Sequence, residues 1–93
     1  MFGKPKSELS PPPNAKNASA VEVLRVWAEP GAAQQLVLKT TWKEPGAWGL
    51  LLADVARHAA KAYAAEGVPE AQALDRILQL FHAEFAAPTD TPS

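Results

Sequence analysis

No cysteine occurs anywhere in the 93 residues, which removes disulfides and every zinc site built on two or four cysteines. Bulky apolar runs are equally scarce. The longest is Leu50-Leu51-Leu52, far short of the roughly 20 residues a membrane helix requires. No apolar stretch of the kind a secretory leader carries follows Lys4, Lys6 and Lys16, so the sequence is read as a soluble, cytoplasmic protein with no membrane partner. A surplus of basic charge is also missing, because Lys and Arg total 9 against 10 Asp and Glu. A nucleic-acid surface needs clustered cations to release counterions, and that class of partner is set aside. The serines, Ser7, Ser10, Ser19 and Ser93, lie in or beside Pro-rich ends, where none is held rigidly against a base as nucleophilic catalysis demands. No catalytic residue is assigned and no cofactor is implied.

What is present is apolar in number more than in bulk. The hydrophobic share is 47%, yet 19 of those residues are Ala and 20 are Val, Ile, Leu or Phe. The core they can build is small. Nine Pro lie mostly outside the apolar stretches, which leaves residues 20–87 as a single domain between a Pro- and Lys-containing tail at 1–19 and a short tail at 88–93, both expected to be disordered. A domain of that length buries only about 60% of its unfolded surface and is marginal without a staple or a partner.

The period of the apolar positions changes along the domain. Residues 21–29 and 35–42 alternate as strands do, with Leu24 and Val26 on one face of the first and Leu36 and Leu38 on one face of the second. Pro30-Gly31-Ala32-Ala33 reads as the turn of an antiparallel hairpin. Matching the faces pairs Val26 with Leu38 and Trp27 with Val37. It also sets Arg25 beside Lys39, so a two-residue shift that brings Lys39 to Trp27 is the alternative. After Pro45, positions 48, 51, 52, 55, 59, 62, 63 and 66, led by Trp48, Leu51, Leu52, Val55 and Tyr63, follow the spacing of one face of a helix that Gly67 ends. Pro69-Glu70 starts a second helix, with Leu74, Ile77, Leu78, Phe81 and Phe85 on one face. The fold class is therefore α+β in the order β-β-α-α, a helical hairpin laid over a two-stranded sheet, with the alanines of the first helix allowing close approach.

Two candidate sites follow. Trp27 lies on the strand face opposite Leu24 and Val26, with Arg25, Val37 and Lys39 as neighbours, and an exposed aromatic beside Arg has the composition of an interaction hot spot. The competing reading is that part of the N-terminal segment covers that face. The other candidate is a metal- or pH-sensing cluster of Asp54, His58 and His82, since Asp54 and His58 stand four apart on one helix and His82 at a similar height on the next. Against it, both His sit at the flanks of apolar faces, where a local hydrogen bond satisfies them. The glycines of Glu44-Pro45-Gly46-Ala47-Trp48-Gly49 lack the spacing and the Lys of a phosphate loop. The sequence thus points to a small non-enzymatic interaction or adaptor module that binds a protein or its own copy through the outer sheet face or a strand edge. A small-ligand or metal-responsive protein is the alternative.

The strand V-x-V-L-R-V-W, the turn W-x-x-P-G-x-W-G and the helix residues LDRILQLFHAEF together resemble a family of short, uncharacterised bacterial proteins, mainly alphaproteobacterial, classed as a domain of unknown function. The resemblance spans about residues 15–87. It implies a bacterial cytoplasmic setting and brings no activity, cofactor or functional residue with it.

Overall fold

A computed structural model describes residues 8–89. Strands β1 (Leu24–Trp27) and β2 (Gln35–Leu38) are followed by helices α1 (Gly46–Ala65) and α2 (Glu70–Ala86), and one 3-10 turn at Pro13–Lys16 precedes them all. This is the β-β-α-α order of an α+β chain. Two compact units divide it, one ending at Thr41 and the other beginning at Trp42, and each has its own physical logic. The disorder expected at 1–19 and 88–93 falls outside the described residues at 1–7 and 90–93.

In the first unit, the turn between the strands is set by two residues. Ala32 N donates to Glu29 O at 3.0 Å and Gly31 adopts φ +81°, which makes Glu29-Pro30-Gly31-Ala32 a type II turn with Pro and Gly at its two central positions. The turn consumes Glu29, so β1 closes earlier than the apolar alternation suggests. β2 ends early as well, because Thr41 takes φ +64°, a left-handed geometry that a β-branched residue adopts at a cost of about 1–2 kcal/mol. Its hydroxyl donates to Lys39 O at 3.0 Å and holds the bend.

The strands pair antiparallel with Leu24 opposite Leu38, Arg25 opposite Val37, Val26 opposite Leu36 and Trp27 opposite Gln35. Both registers expected from the sequence are corrected by this ladder. A slip of two residues leaves every side chain on its face, so the apolar pattern is blind to it. Charge is not blind: in the observed register Arg25 meets Val37, and Lys39, whose N–H donates to Val23 O at 2.9 Å, sits one step beyond the pairing of Leu24 with Leu38.

In the second unit, Glu44 starts α1 with its own side chain, its Oε1 accepting from Gly46 N at 2.9 Å. One of the free N–H groups at the positive helix end is thereby satisfied by a carboxylate. The loop is occupied by an anion that the chain itself supplies. Glu44→Ala is expected to lower stability by about 0.5–2 kcal/mol, read as a fall in the thermal midpoint of helical ellipticity, with Glu44→Gln recovering part of it. Full retention of the midpoint in the Ala variant would contradict the capping role.

The helices are joined over residues 66–69 by a Schellman stop. Val68 N donates to Tyr63 O at 3.0 Å, Gly67 N to Ala64 O at 3.2 Å, and Gly67 stands at φ +103°. Pro69 then precedes Glu70, whose carboxylate lies 3.4 Å from Lys61 Nζ and ties the two helices beside their turn. Trp42 and Trp48 meet edge to face at 5.9 Å between centroids, beside the start of α1. Among the described residues only Ala60 and Ala73 are buried hydrophobic residues. They lie seven residues before and six after Gly67, one on each of the two helices that pack against each other.

Candidate functional site

Strand pairing places Arg25, Trp27, Val37 and Lys39 on one side of the hairpin, since alternate residues share a face and Arg25 is directly opposite Val37. The faces are as expected, while the neighbours differ. Trp27 pairs with Gln35 and stands diagonal to Val37.

Arg25 is not a free cation. Its guanidinium donates to both carboxylate oxygens of Glu22 at 3.0–3.2 Å and to Glu8 Oε2 at 2.9 Å. The Glu22 hydrogen bonds and charge, with Glu8 adding to them, raise the Arg25 pKa above its ordinary value. Two acids around one Arg leave this corner with a net negative charge. Lys39 is exposed and makes no ion pair among the described residues, so it is the cation that face still offers.

Glu8 lies seventeen positions from Arg25, and the ion pair brings residues 8–22 alongside β1. Between them is a cavity of about 720 Å³ lined by Leu9, Pro12, Val21, Leu24, Arg25 and Trp27, among others. Consecutive strand residues point to opposite faces, yet Leu24, Arg25, Val26 and Trp27 all line it. The cavity therefore follows the open edge of β1. The competing reading, in which part of the N-terminal segment lies over this face, has the Glu8–Arg25 contact on its side, although nothing local in the chain names Glu8 as the acid that reaches a strand Arg.

The second candidate does not assemble. Among the described residues no group of three or more His, Cys, Asp or Glu side chains comes together to hold a metal ion. His58 Nδ1 lies 2.7 Å from Asp54 O, and because a carbonyl can only accept, that nitrogen carries the proton. The partner is the backbone of Asp54, not its carboxylate. At about 100° per residue, His58 stands about 160° from buried Ala60 and His82 about 180° from buried Ala73, so both rings face away from the contact between the helices. His82 meets Phe81 edge to face at 5.7 Å. No helix among the described residues is long and apolar enough to cross a membrane.

Comparison with known proteins places this geometry in a family. A model described as "Domain of unknown function (DUF5076)" matches residues 8–89. The chain belongs to that family. Its members' shared label carries no activity, in keeping with the resemblance seen in the strand and turn motifs. No curated protein matches the chain. Among solved structures, one from the photosynthetic bacterium Rhodopseudomonas palustrus CGA009, described provisionally as a pyruvate dehydrogenase, is 40% identical, with a TM-score of 0.76 over 100% of this chain and 95% of that one.

Proposed function

We propose that this protein is a small non-enzymatic interaction module whose working part is the β-hairpin. One contrast carries the reading: the buried core among the described residues is two alanines, while Leu36, Val37 and Leu38 stand in consecutive positions of β2 at 54%, 69% and 52% exposure. Neighbouring strand residues point to opposite faces, so both faces of β2 present large apolar side chains to solvent. Such patches on a small chain mark a surface meant to be covered. Trp27 supplies the aromatic anchor that interfaces favour, with Lys39 as the available charge beside Val37.

Trp27→Ala is expected to weaken association with the module's protein partner by tenfold or more, in line with the loss of an interface anchor, and to leave far-UV circular dichroism unchanged. Capture of partners from a lysate by wild type and variant, followed by titration of the captured protein, reads this directly. Equal capture by both chains would overturn the reading.

A further inference from the structure

The two edges of the hairpin differ. In an antiparallel pair, residues alternate between those that bond across the ladder and those whose N–H and C=O point outward. Because Lys39 N donates to Val23 O, the pairs Arg25–Val37 and Trp27–Gln35 bond inward, and the outward groups belong to Leu24 and Val26 on β1 and to Leu36 and Leu38 on β2. Residues 8–22 flank the β1 edge and bring Pro11, Pro12 and the Glu8–Arg25 ion pair with them. Proline and charge are the usual guards of a strand edge. None of the residues lining that cavity comes from β2, and its sequence Gln35-Leu36-Val37-Leu38 contains neither proline nor charge.

With the hairpin read as the interacting part of the chain, on which this rests, we infer that the β2 edge pairs with the β2 edge of a second copy, giving a four-stranded antiparallel sheet in the order β1-β2-β2-β1. The sequence is self-complementary about Val37. A two-fold axis there sets Leu36 against Leu38 of the other copy twice, each pair exchanging its outward N–H and C=O bonds. Val37 then faces its own copy at the closer, non-bonded spacing, where β-branched pairs pack well. Gln35 falls opposite Lys39, so no like charges meet. The β1 edge offers no such match, because an axis centred on it opposes Arg25 to Arg25. Pairing also joins two strips of Leu24, Val26, Leu36 and Leu38 into one apolar face. A contact of this few residues is smaller than the roughly 800 Å² per partner of a tight complex, so the dimer forms with rising concentration and is not permanent.

Sedimentation equilibrium of the full chain from about 10 μM to about 1 mM, the range in which weak complexes dissociate, should show the mass rise from 9.9 kDa towards twice that value. Over the same range the amide protons of Leu36 and Leu38 should slow their exchange with solvent, while those of Leu24 and Val26 do not. Leu36→Pro removes one outward N–H and leaves the inward bonds of Gln35 and Val37 in place, as edge prolines do, and should hold the mass at that of one chain. Val37→Lys, which opposes two ammonium groups across the axis, should do the same. A chain that stays at 9.9 kDa throughout, exchange at Leu36 and Leu38 indifferent to concentration, or a dimer that persists in both variants overturns the assignment. Trp27→Ala separates it from the broader reading: a dimer that survives this change while partner capture is unaffected by it supports the edge and overturns the face.

Discussion

Ala60→Leu should lower the unfolding free energy by about 1–3 kcal/mol, because the added methylenes enter a close-packed contact with no room to take them. Ala60 is 0% exposed, the most buried residue among those described, and it lies on a helix that packs against α2. A larger side chain there must push α1 from α2, and the tie between Lys61 and Glu70 loosens with it. Leu50→Ala is the matched control, since Leu50 is 73% exposed and its truncation should change stability by less than about 0.5 kcal/mol. Urea titration followed by helical ellipticity reads both. A midpoint for Ala60→Leu indistinguishable from wild type would mean that the helices do not meet at this alanine.

Gly67→Ala should cost about 1–2 kcal/mol, the penalty for placing a β-carbon at positive φ. The cause can be isolated. A Cβ built on Gly67 meets nothing within 4 Å, so the loss is one of backbone conformation and not of crowding. Gly67→Asn should cost less, since Asn tolerates the left-handed region. The same denaturant titration ranks the three chains, and an Ala variant as stable as wild type would show that the Schellman stop is not needed to turn α1 into α2. Because the stop also bonds Val68 N to Tyr63 O, amide exchange at Val68 should quicken in the Ala variant.

Much of the candidate site was legible because strand alternation is a strictly local signal. Arg25, Trp27, Val37 and Lys39 share a face in any register that keeps Leu24 and Val26 with Leu36 and Leu38, and the ladder confirms the face. The register itself was not legible. Shifts of two residues conserve the faces, and the choice among them fell to the type II turn at Glu29–Ala32 and to where Thr41 bends. Asp54, His58 and His82 show the opposite failure. Spacing along each helix suggested convergence, but the rotation of the helices about their axes, set by burial of Ala60 and Ala73, turned both rings outward.

What the sequence determined by itself was whatever depends on neighbours in the chain: two strands from alternation, two helices from the 3.6-residue period, and stops at Pro30-Gly31 and Gly67 from residues that fit particular backbone angles. Its lack of cysteine and shortage of bulky side chains also set the small core. Tertiary structure alone decided which residues stand opposite one another. It brought Glu8, seventeen residues away, to Arg25 and set residues 8–22 along the β1 edge. Those outcomes arise from contacts between distant parts of the chain, whose energies no local pattern encodes.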